Sequence, residues 1–598
     1  MTSMQVCFRA FLFAVLIAIL PSAIETTAAD SAGSVESVMD DLVGRLMQQM
    51  SEEELSSLDD TKIMAILTPE EKEILATRYL HFKVNVPVTV SVMHETGQPV
   101  TPYWLSERGF NKTEMEVTNT ENWVYEVWQK DFEPGEVGLG INGFDKHRQH
   151  YFVTVGPKNE GDKVEISDLF PSEYSIGWMH EGASVYHDWT ELLLKDVPRE
   201  LRGDRLLTTI RGRAREAHLI GGFRKTPHPS SKQPDQVILT WSQDPKTSQT
   251  VQWRTSTEIR DGQAQYWPKG TDRLKTVSAD YELIEDRVLI NDPKCHHFTA
   301  TLTALEPGTE YEYRVGSPKE DVWSQTADFT TAPAQPEPFL FVAFGDTHKK
   351  EAWGEMLEKV GDRHPEAAFY AIAGDLVDTG QYRDDWDQFF HLGRDAFNRK
   401  PLIPCIGNHD AIDGLGPGMY RALLGLPENG PENIDPERAF TLEYGNLLYI
   451  VLDSGLSAID QAAWLEEQLA NSDATWKVAM FHFPPYNYEE PYPEIKALWG
   501  YLFDKYQVDF AIEGHIHYYM RSHPIFQDKP VKDPKEGTTH VLTIPIPNRE
   551  RDLPPAPYAA VQLTGVPVYQ TFQIDGNHLT FRTYDLEGEV RDEVVIEK

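Results

Sequence analysis

Cysteine is scarce, three in 598 residues. Cys7 lies in an apolar leader, which leaves Cys295 and Cys405 in different expected domains. A disulfide framework is therefore not indicated, although one bridge stays open. Long apolar runs are missing too. Beyond the N-terminus none approaches the ~18 residues that span a bilayer, and mean hydropathy is -0.45, so no membrane span is expected. Positive charge is short: 55 Lys and Arg stand against 94 Asp and Glu, a net charge of -39. Such a surface repels phosphate backbones and anionic lipid at long range, so nucleic acid is not an expected partner. The acidic residues form no long block and read as a solubilising surface.

The leader is the first positive feature. MTSMQVCFRAFLFAVLIAILPSAIETTAAD carries Arg9, an apolar run from Ala10 to Leu20 and the small residues Thr27-Ala28-Ala29. Residues 1–29 read as a cleaved export signal, with a secreted or periplasmic destination; the alternative is an uncleaved N-terminal anchor. The length exceeds the ~250–300 residues one hydrophobic core usually serves, so several domains are expected.

Residues 30–82 carry helix signals: Ser51 with Glu54 three positions on, and Thr68-Pro69 with Glu71, both capping-box patterns. Residues 83–225 change to a period of two, as in VNVPVTVSVMHE and KVEISDLF, and read as a β-rich domain of unknown role. Its His147, His150, His180 and His187 read as ordinary surface or core histidines, and Asn111-Lys112-Thr113 is a glycosylation acceptor pattern. The linker KTPHPSSKQPDQ precedes short alternating runs over 235–332, VILTWS, TVQWRTS, HHFTATLTAL and EYEYRVG, spaced as in a β-sandwich. After a second linker, TAPAQPEP, residues 337–598 alternate apolar runs (FLFVAF, AAFYAIA, LIPCI, LLYIVL, WKVAMFHF, VDFAIEG) with helical stretches such as DQAAWLEEQLA. That rhythm predicts a layered α/β domain whose sheet is buried on both faces. The end of the chain alternates around Asp575-Gly576 and Glu587-Gly588, a closing hairpin unit.

Chemistry-bearing residues collect behind those runs: GDTH at 345–348, GDLVD at 374–378, GNHD at 407–410, FHFPP at 481–485 and GHIH at 514–517. Singly, each has a bland reading as turn chemistry or a buried histidine. Five in order, each at the carboxyl end of an expected strand where open α/β sheets bind ligands, make coincidence a poor account. Asp346, His348, Asp375, Asn408, His482, His515 and His517 form a set of two carboxylates, one amide and four imidazoles, which suits Fe, Mn or Zn. Seven ligands are too many for one ion and suit a pair sharing a carboxylate.

The series GD-x-H, GD, GNH-D, H, GH-x-H resembles the calcineurin-like metallophosphoesterases over Phe339 to Arg521. VLDS with QAAWLEEQL, GHIHYYMR, and the preceding CHHFTATLTALEPGTEYEYRVG are similar to purple acid phosphatases and their fibronectin-III-like N-terminal domain. The resemblance implies a multidomain chain: a four-layer α/β sandwich catalytic domain behind that β-sandwich, with the β-rich N-terminal region outside the likeness. It implies one metal on Asp346, His348, Asp375 and His517 and a second on Asp375, Asn408, His482 and His515. Asp375 bridges, and His409 faces the phosphoryl group as the catalytic residue. The purple acid phosphatase pattern has Tyr where this chain has Asp378, and Gly where it has His348. Asp378 is therefore expected behind the ligands or in a turn, and no purple colour is expected. Tyr486, Tyr518, Tyr519 and Arg521 either line the substrate mouth or pack structurally.

The expected function is an exported, dinuclear-metal phosphoesterase that hydrolyses small phosphomonoesters by attack of a metal-bound hydroxide. The alternatives are a phosphodiesterase or nucleotidase on the same site, or a binding protein with a vestigial phosphoesterase fold.

Overall fold

A computed structural model describes residues 33–146, 150–172, 174–190, 192–412, 414–546, 550 and 552–598. The expected export signal and His147 lie outside them. No helix among the described residues is long and apolar enough to cross a membrane. Cys295 and Cys405 are buried and unpaired.

The N-terminal helices Val35–Gln49, Glu52–Ser56, Asp60–Ile66 and Pro69–Thr77 start where the caps dictate. Ser51 with Glu54, and Thr68 with Glu71, each close a reciprocal capping box. These helices do not build a core alone. Leu42, Leu46 and Leu75 pack with Phe82, Val90, Val153 and Leu207 from a three-stranded and a seven-stranded sheet in one apolar cluster, and Met93, Val117, Phe152 and Leu206 build a second.

The next sheet system runs from Asp235–Thr240 to Ala327–Thr330. Its strand Lys275–Glu285 serves both faces: residues 275–279 pair with Gly262–Pro268, and residues 280–285 pair with Lys294–Leu302. Trp253 stacks on Phe298 between them with ring centroids 5.3 Å apart.

Two further sheets carry the site. In the first, Phe339–Phe344, Tyr370–Ile372 and Leu402–Pro404 are parallel neighbours. Val568–Asp575, His578–Asp585 and Val590–Glu597 extend it antiparallel beyond Phe339–Phe344, turning at Gly576 and Gly588. In the second, Leu447–Val451, Trp476–Met480, Phe510–Glu513 and Thr539–Leu542 are parallel. The sheets meet face to face through Phe510 set edge-on to Phe572 (5.2 Å) and Phe341 set edge-on to Tyr449 (5.6 Å). Helices Glu351–Arg363 and Arg383–Phe397 cover the first sheet, and Ala458–Asn471 with Tyr501–Tyr506 cover the second. This is a four-layer sandwich, and the double coverage explains why its central strands are apolar throughout.

Candidate metal centre

All five motif loops leave the carboxyl ends of parallel strands of these two sheets: Phe339–Phe344, Tyr370–Ile372 and Leu402–Pro404 in one, Trp476–Met480 and Phe510–Glu513 in the other. The loops must approach more closely than side-chained residues permit. A Cβ on Gly514 would lie 2.4 Å from Oδ1 of Asp346, and one on Gly407 would lie 2.2 Å from Oδ1 of Asp375. Glycine is what lets the carboxylates reach the neighbouring loop.

The eight side chains singled out from the sequence come together. Donor atoms of Asp346, His348 and His517 lie within 4.8 Å of one another, as do those of Asp375, His482 and His515, and of His348, Asp375 and His409. Nε2 of His517 is 3.0 Å from Oδ2 of Asp346, and Nε2 of His348 is 3.4 Å from Nε2 of His517. Oδ2 of Asp375 lies between the two groups, 3.2 Å from Nε2 of His482 and 3.9 Å from Nε2 of His348. Oδ1 of Asn408 is 3.1 Å from Nε2 of His482. Imidazole nitrogens and carboxylate oxygens converging on common points at this spacing fit a pair of first-row metal ions.

Backbone groups aim the donors. Nδ1 of His482 pairs with the carbonyl oxygen of Ala373 at 2.7 Å, leaving Nε2 as the ligand atom. Nδ1 of His409 pairs likewise with the carbonyl of Asp378 at 2.7 Å. Oδ1 of Asp346 accepts the His515 N–H at 2.9 Å, and Oδ1 of Asp375 accepts the His409 N–H at 2.8 Å. Asp378 stands behind His348, its Oδ1 3.2 Å from Nδ1 of that ring, and does not join the three donor groups.

The electrostatics ask for positive charge. Burial alone would lower the His482 pKa, but Asp375 and then Asp346 push it up to about 10. Burial would raise Asp346 and Asp375, yet the facing histidines hold both below the usual carboxylate range. His348 is likewise raised against its burial by Asp378, Asp375 and Asp346. Protons here occupy positions that bound cations would take over.

Three supporting residues had no role assigned from the sequence. Asp410, the last letter of GNHD, accepts the Leu376 N–H at 3.0 Å through Oδ1 and the Gly407 N–H at 2.8 Å through Oδ2, locking two ligand loops together. Ser454 of VLDS accepts the His482 and Phe483 N–H groups at 3.2 and 2.9 Å. Glu490 approaches His515 and had no motif to reveal it. Of the residues weighed for the mouth, Tyr519 and Arg521 turn away to Asp592, each with a 2.7 Å contact. Tyr486 and Tyr518 are buried in an apolar cluster with Ile516 and Met520. All four pack structurally.

Comparison with known proteins gives the same reading. Residues 234–331 match the purple acid phosphatase N-terminal domain, and residues 339–519 match the calcineurin-like phosphoesterases. An uncharacterized protein of Mycobacterium tuberculosis is 25% identical over 331 residues, 48% of this chain, which covers 62% of that relative's length. Probable purple acid phosphatase 20 of Arabidopsis thaliana is 27% identical over 321 residues, 50% of this chain and 70% of the relative. The structure of a purple acid phosphatase from yellow lupin (Lupinus luteus) seeds superposes with a TM-score of 0.54 at 15% identity, covering 85% of this chain and 90% of that one. Its likeness shows the fold. This chain thus carries a stretch like the purple acid phosphatase N-terminal domain at residues 234–331 and a calcineurin-like phosphoesterase stretch at residues 339–519.

Proposed function

We propose that the chain is an exported dinuclear-metal phosphoesterase that hydrolyses phosphomonoesters. The observation carrying this reading is the position of one carboxylate oxygen, Oδ2 of Asp375, between His482 at 3.2 Å and His348 at 3.9 Å. Asp346, His348, Asp375 and His517 would hold one ion, and Asp375, Asn408, His482 and His515 the other. When bound, such a pair lowers the pKa of water from 15.7 toward about 7 and screens phosphoryl oxygens.

The protein's own groups do the rest. His409 spends Nδ1 on the Asp378 carbonyl, which leaves Nε2 to hydrogen-bond a phosphoryl oxygen or to protonate the departing one. The Ala373 carbonyl fixes the tautomer of His482, and Asp410 keeps the Asp375 and Asn408 loops in register. Export is supported by the leader sequence, and the monoester preference by the naming of the Arabidopsis relative.

The test is elemental analysis of reconstituted protein together with paired assays on an aryl phosphate monoester and bis-ester. Two metals per chain and faster monoester cleavage are expected. Much faster bis-ester cleavage replaces the monoesterase by a phosphodiesterase. Fewer than about one metal per chain after reconstitution replaces the enzyme by a binding protein.

A further inference from the structure

We propose that Glu490 is a positioning and specificity-determining residue of this site, which selects phosphomonoesters whose leaving group carries no negative charge. The proposal rests on the phosphoesterase reading above. Oε2 of Glu490 lies 3.4 Å from Nε2 of His515, the ring whose donor atom groups with Asp375 and His482. The same oxygen accepts the Tyr492 hydroxyl at 2.5 Å.

The carboxylate is built in place, although it stands in a connecting segment with 53% of its side chain exposed. Asn487 binds that segment at four points. Its Oδ1 accepts the N–H groups of Glu489 and Glu490 at 2.8 and 2.7 Å, and its Nδ2 donates to the carbonyls of Pro484 and Glu490 at 2.7 Å each. Below it, Phe483 stacks on Tyr492 (5.1 Å, 3° between planes) and meets His515 edge-on at 4.7 Å. A loop held this tightly fixes where the charge stands.

Two consequences follow from charge and geometry. A carboxylate 3.4 Å from Nε2 of His515 orients the ring that groups with Asp375 and His482. Because the carboxylate is half-exposed beside aromatic faces, it also repels an anionic leaving group on that side, while a neutral aryl or a cationic group is accepted. On the far side, the Asp378 carboxylate beside His348 is paired with Lys350 at 3.2 Å, whereas Glu490 faces the His515 ring and the Tyr492 hydroxyl.

The experiment uses metal-saturated full-length protein and three esters that differ in one substituent: phenyl, 4-carboxyphenyl and 4-(aminomethyl)phenyl phosphate. kcat/KM is measured for wild type, Glu490→Gln and Glu490→Asp. Calorimetry with phenylphosphonate and 4-carboxyphenylphosphonate provides a readout free of turnover. Glu490→Gln is expected to raise the carboxyphenyl-to-phenyl ratio about tenfold, mainly through KM, and to tighten 4-carboxyphenylphosphonate binding in parallel. Glu490→Asp is expected to keep the wild-type ratios. Ratios and phosphonate affinities unchanged within about twofold in Glu490→Gln, in a wild type that hydrolyses phenyl phosphate, overturn the role of Glu490 alone. A wild type that holds two metals yet hydrolyses none of the three esters overturns the phosphoesterase reading, and this proposal with it.

Discussion

Nε2 of His482 lies 3.2 Å from Oδ2 of Asp375, with both side chains buried. Burial would strip the ring of its proton, but Asp375 and Asp346 raise its pKa to about 10, so the metal-free site holds an imidazolium at pH 7. A ligating imidazole must be neutral, so metal binding at pH 7 is expected to release protons. Calorimetric titration with Zn²⁺ or Mn²⁺ in buffers of different ionisation enthalpy measures this release, and a heat independent of the buffer would contradict it. The linked stability has the matching sign. The raised pKa stabilises the metal-free fold fully below the unfolded value of about 6.5 and loses that contribution as pH rises toward 10.

Asp375→Ala removes the carboxylate shared by the two proposed ligand sets, near both His482 and His348. Both ions are expected to lose affinity together, and hydrolysis of any phosphate ester is expected to vanish. Elemental analysis after reconstitution is the check. A variant that still holds two metals would show that Asp375 does not bridge them.

His409→Ala should behave differently. Its ring is anchored on the Asp378 carbonyl, 4.8 Å from His348 between centroids, and both proposed ligand sets are complete without it. Metal content is expected to stay at the wild-type level while kcat falls by about 10²–10⁴, the span typical of a lost general acid. Unchanged turnover would remove His409 from the chemistry.

The motif residues were legible because each acts where the chain itself marks a strand end. A glycine followed by a donor, as in Gly407-Asn408 and Gly514-His515, records in the sequence that two loops must nearly touch. The residues that hold those loops were not legible. Asp410 bonds the N–H of Leu376, 34 positions away, and Ser454 bonds that of His482, 28 away. Backbone acceptors of this kind leave no periodicity or spacing to read. Tyr519 and Arg521 sit beside ligands in sequence but point to Asp592 on the last strand, a partner set by how the closing strands return to the sheet. The N-terminal helices announced their caps but not their partners, because an apolar helix face does not say which sheet will cover it. Leu42 and Leu75 share a core with Val90 and Val153.

Asp378 stands where the purple acid phosphatase pattern has tyrosine. Burial would raise its pKa, but His348 and Lys350 bring it down to about 2, so it stays an ionised carboxylate 3.2 Å from the His348 ring. Iron-loaded protein is expected to show no tyrosinate charge-transfer band in its visible spectrum. Asp378→Asn is expected to weaken metal binding about 10–100-fold by loosening His348, read out by competition with a chelator. A visible tyrosinate band, or undiminished affinity in the variant, would reject this assignment.

Acid should weaken the β-sandwich through His297. The ring is buried, and burial followed by the charge of Arg254 lowers its pKa to about 3. Arg254 is itself fixed between Asp235 and Asp387, 2.6 Å from each. Below the unfolded value of about 6.5, the unfolded chain takes up a proton that the folded state refuses, so stability falls as pH drops from 6.5 toward 3. At pH 5 the loss is about 2 kcal/mol. A neutral replacement of similar size, His297→Gln, costs stability at pH 7 but removes the proton uptake. The difference in melting temperature between wild type and variant is therefore expected to shrink on going from pH 7 to pH 5. Calorimetric melting at both values measures it, and parallel pH profiles would show that His297 is protonated in the folded protein or plays no part in its acid response.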